Sequence, residues 1–251
     1  MKKWFAMLAI FLSSYLFFLL ASAPLTLLTN NIQLPKNVTL HGVSGSIWQG
    51  EIASAIINQN RIEKISTDVS FWSLFTLAPS VRVNFGDAML AGPEGKFTLK
   101  ASSEQIVLSE LAVFVSANMV ANQLPLPIPV SAQGNIELNM PVLQIATAEK
   151  ISCTQAQGDV LWLRAGVVAL DQNIKLGRFT ADISCKDGDF LATVSPKNNL
   201  GLSFDAVLAL PEQRPSGQGY LKPGAKFPEQ LKSALSFLGR PDNQGRYRLR
   251  F

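Results

Sequence analysis

Gly134-Asn-Ile-Glu-Leu-Asn-Met140 alternates polar and apolar side chains along its length. Successive side chains of a strand point to opposite faces, so this pattern describes a strand with one face in a core and the other in water. The same alternation, complete or nearly so, returns in Ala55-Ile-Ile57, Ile65-Ser-Thr-Asp-Val-Ser-Phe71, Val81-Arg-Val-Asn-Phe85 and Lys96-Phe-Thr-Leu-Lys100. Turn signals stand between these runs: Asn58-Gln-Asn60, Gly86-Asp87, Gly92-Pro-Glu-Gly95 and Asp187-Gly188. Strands at this spacing, without long helices between them, predict an antiparallel all-β domain.

Helices are expected to be few and short. Phe71-Trp-Ser-Leu-Phe-Thr-Leu-Ala78 is apolar on all sides, with Ser70 placed to cap it and Pro79 to end it. Ser109 to Met119 reads two ways: Leu108, Leu111, Ala112, Val115 and Met119 fit a helical stripe, yet the segment is rich in valine. Pro228 to Leu238 predicts a helix, with Leu231, Ala234, Leu235 and Leu238 as its apolar stripe and Gly239 as its stop. Leu124-Pro-Leu-Pro-Ile-Pro-Val130 must be extended, because alternate prolines neither build a helix nor donate to a central sheet.

The N-terminus follows a different rule. Lys2 and Lys3 precede an apolar run that continues to about Leu28, and no charge occurs between Lys3 and Lys36. Helical rise carries Trp4 to Pro24 across roughly 30 Å, the thickness of a bilayer core. A cleaved signal peptide is the competing reading, and Ala21-Ser-Ala23 imitates its cleavage site. The apolar run is too long for one, and Pro24 would stand at the new N-terminus, so a retained anchor is favoured. The positive-inside rule leaves Lys2 and Lys3 in the cytoplasm and the remainder outside, which in a bacterium is the periplasm. The expected organisation is a cytoplasmic tip and transmembrane anchor over 1–28, a linker over 29–37, and a β-rich domain over 38–251.

Within that domain a weak repeat pairs Trp48 with Asp68-Val-Ser70 and Trp162 with Asp182-Ile-Ser184, with Asn58-Gln-Asn60 and Asp171-Gln-Asn173 between them. It suggests tandem halves at about 38–120 and 150–210. Residues 211–251 then carry eight Lys/Arg against three Asp/Glu. In a periplasmic domain such a basic region suits anionic lipid or an acidic partner better than nucleic acid, with an ordinary solvated surface as the alternative. Cys153 and Cys185 are the only cysteines. In an oxidising compartment they read as a disulfide, the alternative being two buried thiols. With one distant histidine they cannot supply the four ligands of a zinc site.

Catalytic chemistry finds no foothold. His41 is the only histidine. Gly42-Val-Ser-Gly-Ser46 lacks the last glycine of a nucleophile elbow, and no helix follows it. No phosphate-cradling glycine loop occurs, and the carboxylates are scattered. No catalytic, cofactor or metal residue is therefore assigned. In Gly42-Val-Ser-Gly45-Ser-Ile-Trp48-Gln-Gly50 the glycines read instead as tight turns or bulges and Trp48 as a core anchor.

That motif, a short way beyond an N-terminal anchor, resembles protein N of the bacterial type II (general) secretion pathway. Val69-Ser-Phe-Trp-Ser-Leu-Phe75, the cysteine pair and the ending Leu238-Gly-Arg-Pro-Asp-Asn-Gln-Gly-Arg-Tyr-Arg-Leu-Arg-Phe251 carry the same resemblance. It implies a bitopic, non-enzymatic accessory component of the inner membrane, acting in export of folded proteins across the outer membrane with other secretion components as partners. It also implies likeness to the curved-sheet domains of AsmA-like envelope proteins. The expected fold is then all-β: a transmembrane helix followed by a long curved, mainly antiparallel sheet, as a half-barrel or a sandwich, with a few short helices. Lipid binding or transfer along the sheet is the second hypothesis. A third comes from the C-terminus, where Tyr247, Leu249 and Phe251 alternate with Arg246, Arg248 and Arg250 as in outer-membrane barrels. A barrel needs its leader removed, so this ending is read as a strand of the periplasmic sheet whose arginines form a candidate interaction face.

Overall fold

The computed structural model describes residues 2–250, apart from 32–33, 36, 59, 77, 91, 124–129, 170–171, 211 and 213. The proline segment 124–129, expected to be extended, thus lies outside the described residues, as do Phe251 and one residue of each Gln-Asn turn. The chain divides into two compact units, Met1–Gly92 and Pro93–Phe251.

The first unit begins with the apolar helix α1 (Lys2–Ala21). The apolar run does not continue as one helix to Leu28. Pro24 cannot extend α1, and the chain restarts as the short α2 (Leu25–Asn31), which takes up the beginning of the expected linker. Four strands follow: β1 (Val38–Gly45), β2 (Gln49–Ile57), β3 (Asn60–Val69) and β4 (Ser80–Phe85). Each pairs antiparallel with the next.

The second unit is also a meander, from β5 (Glu94–Ala101) and β6 (Gln105–Ser116) to β7 (Ser131–Ala146), β8 (Ser152–Ala169), β9 (Gln172–Lys186), β10 (Asp189–Val194), β11 (Leu202–Ala209), β12 (Arg214–Leu221) and β13 (Tyr247–Arg250). Within each unit every strand pairs antiparallel with its sequence neighbours, and among the described residues no pairing closes either sheet into a barrel. All the alternating runs lie in strands. The run Ile65–Phe71 is cut at Val69, and Phe71 starts a 3₁₀ turn. The longest strands shift register at bulges, between Gln133 and Asn135 and between Asn139 and Val142 on β7, and between Trp162 and Ala165 on β8. Bulges of this kind bend a strand and raise its twist.

The helical expectations shrink. Phe71–Thr76 is a 3₁₀ turn, not an α-helix. Ser109 to Ser116 is strand, because its β-branched residues pair with β5 on one side and β7 on the other. Only its end turns helical, as α3 (Ala117–Ala121), where the Ser116 hydroxyl accepts from the Met119 N–H. Pro228 to Leu238 holds two 3₁₀ pieces, Glu229–Leu231 and Ser233–Leu238, ended by Gly239 at φ +88°. Of its stripe, Leu231 packs on the sheet, while Ala234 and Leu238 are exposed.

The second unit has two core clusters. One gathers Met140, Leu143, Cys153 and Ala156, with Ile183, Cys185 and Phe190 against them. The other gathers Ala165, Ile174 and Leu176, with Trp162 and Phe179 alongside. Cys153 and Cys185 form a disulfide, Cα–Cα 5.6 Å, at the open end of the β8–β9 hairpin. The hairpin pairing brings the two cysteines together, and the bond closes the end that pairing leaves free.

The repeat does not carry into the pairing register. Val69 N–H donates to the Trp48 carbonyl, which sets Asp68 beside Gln49. In the second hairpin Trp162 faces Phe179, and Asp182 faces Asp159. Equal spacing along the chain therefore places different neighbours together.

Candidate functional site at the end of the apolar helix

An α-helix leaves its last carbonyls without intrahelical partners. At the end of α1 they are met partly by the residues that follow and partly by a turn between β1 and β2. Phe18 O accepts from the Ser22 N–H at 3.0 Å and from the Ser22 hydroxyl at 2.7 Å. Leu20 O accepts from the Ala23 N–H at 3.4 Å and from the indole Nε1–H of Trp48 at 3.0 Å. One step on, Ala23 O accepts from the Ile47 N–H at 3.0 Å, and Pro24 and Ser46 form an antiparallel bridge. The motif Gly45-Ser-Ile-Trp48 thus completes the helix end and fixes the direction in which the chain leaves it.

The turn is shaped to do this. Ser46 N–H donates to Gln49 O at 2.9 Å, and Ser46 Oγ accepts from the N–H groups of Trp48 and Gln49 at 3.3 and 3.1 Å. Gly45 sits at φ +81°, where a Cβ would lie 2.3 Å from Gln49 O. At Gly50 the demand is for space: a Cβ would stand 2.5 Å from Leu25 Cδ2 and 2.7 Å from Thr67 Oγ1. Leu25 is buried there, so the missing side chain is the seat of α2 on the sheet. Gly42 has φ +65° on β1.

Trp48 is not the core anchor expected of it. It is half-buried, and its ring meets Phe71 edge-on at 5.0 Å. Phe71 in turn meets Phe17 of α1 at 6.1 Å and Phe75 at 5.5 Å. Beyond them Trp72 and Phe75 are 78% and 70% exposed. Indole N–H needs an acceptor, and for Trp48 the helix end supplies it. Phe17, Leu20 and Phe71 are site residues that the motif alone did not reveal. For Phe71 the signal in the sequence is the all-round apolar run at 71–78, which fits neither an alternating strand nor a solvated loop.

Among the described residues the motif's polar side chains do not come together. His41 is exposed on β1 opposite Ser54, and Ser44 is exposed opposite Glu51. Among the described residues no group of three or more His, Cys, Asp or Glu is placed to hold a metal ion. In the middle of β3 the Lys64 ammonium pairs with Asp87; its hydrogen bond, with a second from the Met89 N–H, holds that carboxyl below its usual value.

The C-terminal arginines separate into two kinds. Along β13, Tyr247 and Leu249 are half-buried and Arg248 and Arg250 exposed, the alternation expected of a strand with its arginines outward. Arg246 is engaged: its Nε lies 2.9 Å from Asp242 Oδ2, and its guanidinium sits 4.5 Å over the Tyr220 ring. The Asp242 carboxyl also accepts from the N–H groups of Arg246 and Gln244, and the Arg246 N–H above all lowers its pKa. Arg248 and Arg250 instead line an open cleft with Asp205, Gln218 and Tyr220.

Residues 36–250 match the family model described as type II secretion system (T2SS), protein N. The chain belongs to this family. A type II secretion system protein N of Aeromonas hydrophila is 32% identical across all of this chain and 98% of its own length. Those of Vibrio cholerae and Klebsiella pneumoniae are 30% and 28% identical, across 86% and 92% of this chain and 84% and 88% of their own lengths. No solved structure matches the chain. The family match spans both units and takes in the helix-capping turn, the disulfide and β13.

Proposed function

We propose that the protein is an accessory subunit of the type II secretion machine, held in the inner membrane by α1 with its two β units in the periplasm. It acts as a non-enzymatic scaffold in the export of folded proteins across the outer membrane. The full-length likeness to proteins named for that system is the observation that carries this reading. Physical features support it. Lys3–Ala21 is long and apolar enough to cross a membrane, with mean hydropathy 2.1 and no buried residue in the apolar stretch. Two lysines at its start fit a cytoplasmic tip. Open sheet edges recruit strands readily, and Arg248 and Arg250 give the β13 edge a positive charge for an acidic partner segment.

The test is photocrosslinking in secreting cells from Arg248 and Arg250, each replaced by a photoreactive residue, together with deletion of the protein. Crosslinks to other secretion components and reduced export of folded substrates are expected. Crosslinks to lipid alone, with export intact, would overturn the scaffold role and favour lipid binding along the sheet.

A further inference from the structure

We infer that the 3₁₀ turn Phe71–Thr76 is a second membrane contact, its exposed Trp72 and Phe75 lying in the outer headgroup–acyl boundary of the bilayer that α1 crosses. The inference rests on reading α1 as a membrane span and adds a second element to it. Three independent features point to lipid as the occupant. The first is position. Phe17 stands one helical turn before the end of α1, about 6 Å into the span at the rise of a helix. Phe71 touches it edge-on, so the turn is held at the depth where amphipathic aromatic side chains collect.

The second feature is composition. No charged residue occurs between Asp68 and Arg82. Trp72 and Phe75 pack on each other at 6.0 Å, and both are largely uncovered by protein. Aromatic side chains of this size present a large apolar area to water if nothing covers them. The third feature is polar satisfaction, which a segment entering lipid requires. Ser73 Oγ donates to Ser70 O at 2.6 Å and accepts from the Ser80 N–H at 2.8 Å, and Thr76 Oγ1 donates to Ser73 O at 2.8 Å. The hydroxyls of the turn are spent on its own backbone.

With α1 and the turn both in the membrane, β3 and β4 leave the bilayer surface at a fixed angle instead of swinging on one helix. The experiment uses the full chain in phosphatidylethanolamine/phosphatidylglycerol vesicles with nitroxide labels at Trp72→Cys or Phe75→Cys. The native cysteines are joined in the disulfide. Controls are Phe11→Cys, within α1, and Met89→Cys, an exposed position beyond the far end of β4. The expected result is an oxygen-to-nickel-chelate accessibility ratio at 72 and 75 well above that at 89 and below that at 11. Ratios at 72 and 75 equal to that at 89, with 11 in lipid, would overturn this inference and leave the span intact. Water exposure at 11 would overturn the span and the inference together.

Discussion

Trp48 and Trp162 stand in similar local sequence and perform unlike tasks. Both indoles donate to a main-chain carbonyl, Trp48 to Leu20 at 3.0 Å and Trp162 to Gln133 at 2.9 Å. Trp162 stacks on Phe179 at 5.5 Å beside Ala165 and Ile174, and its hydrogen bond clasps the bulge at Gly134 that separates two registers of β7 and β8. Among the described residues Trp48 belongs to no core cluster, and its carbonyl partner is the end of an apolar helix. One tryptophan holds a sheet to itself, the other holds a sheet to a helix. Residue type and spacing set the hydrogen-bonding need in each case; the nearest unmet acceptor decides the role.

Changes in the Trp162 region should cost global stability, and changes in the Trp48 region should cost local order. The largest effect is expected from C153S/C185S. Losing the cross-link removes about 3–4 kcal/mol by chain-entropy reasoning, read as a shift of the denaturant midpoint of the full chain. The Trp48 contact with Leu20 should survive that change under native conditions. Next, Trp162→Ala should cost about 3 kcal/mol in the same assay, while Trp48→Ala should leave the main transition within about 1 kcal/mol. Equal losses at the two sites would break the comparison. Gly50→Ala should cost about 1–2 kcal/mol through overpacking against Leu25, seen as faster amide exchange in α2 with β7 to β9 unaffected.

The smallest effect concerns Asp242. Its folded pKa lies below the ordinary value of 3.8 because Arg246 and Gln244 donate to it. A lowered folded value contributes stability that is complete above the unfolded value and is lost as pH falls through the folded one. The Asp242–Arg246 loop should therefore hold from neutral pH down to about that ordinary value and loosen below it. Amide shifts of Gln244 and Arg246 followed by NMR should show this titration, and Asp242→Asn should abolish it.

Much of the fold was legible in side-chain period alone. Alternation marked β2, β3, β4, β5 and the start of β7, because one-sided burial leaves that trace. It did not mark the full length of β7, β8 and β9, where bulges and half-buried faces interrupt the period. The Val-rich stretch from Ser109 to Met119 also satisfied a helical stripe, and the pairing of its part up to Ser116 with two strands decided between them. Pro228 to Leu238 failed as an α-helix for a local reason: Ser236 Oγ donates to Ser233 O, and only Leu231 and Leu235 of the stripe escape full exposure. The site was half legible. Gly45 and Gly50 were read as turn or bulge positions. The partners they approach, Gln49 O and Leu25, and the role of Trp48 at Leu20 depend on where α1 ends relative to β1, which no spacing rule contains. Likewise, the arginine alternation predicted an outward face, but Tyr220 and Asp242 withdraw Arg246 from it.

The central claim is that the Gly45–Trp48 turn completes the end of the apolar helix α1. The most direct measurement is the Trp48 indole N–H in the full chain, observed by NMR in lipid nanodiscs. The account predicts slow exchange with water and nuclear Overhauser contacts from that proton to Leu20 and Phe71. Rapid exchange, with no contact to α1, would contradict it.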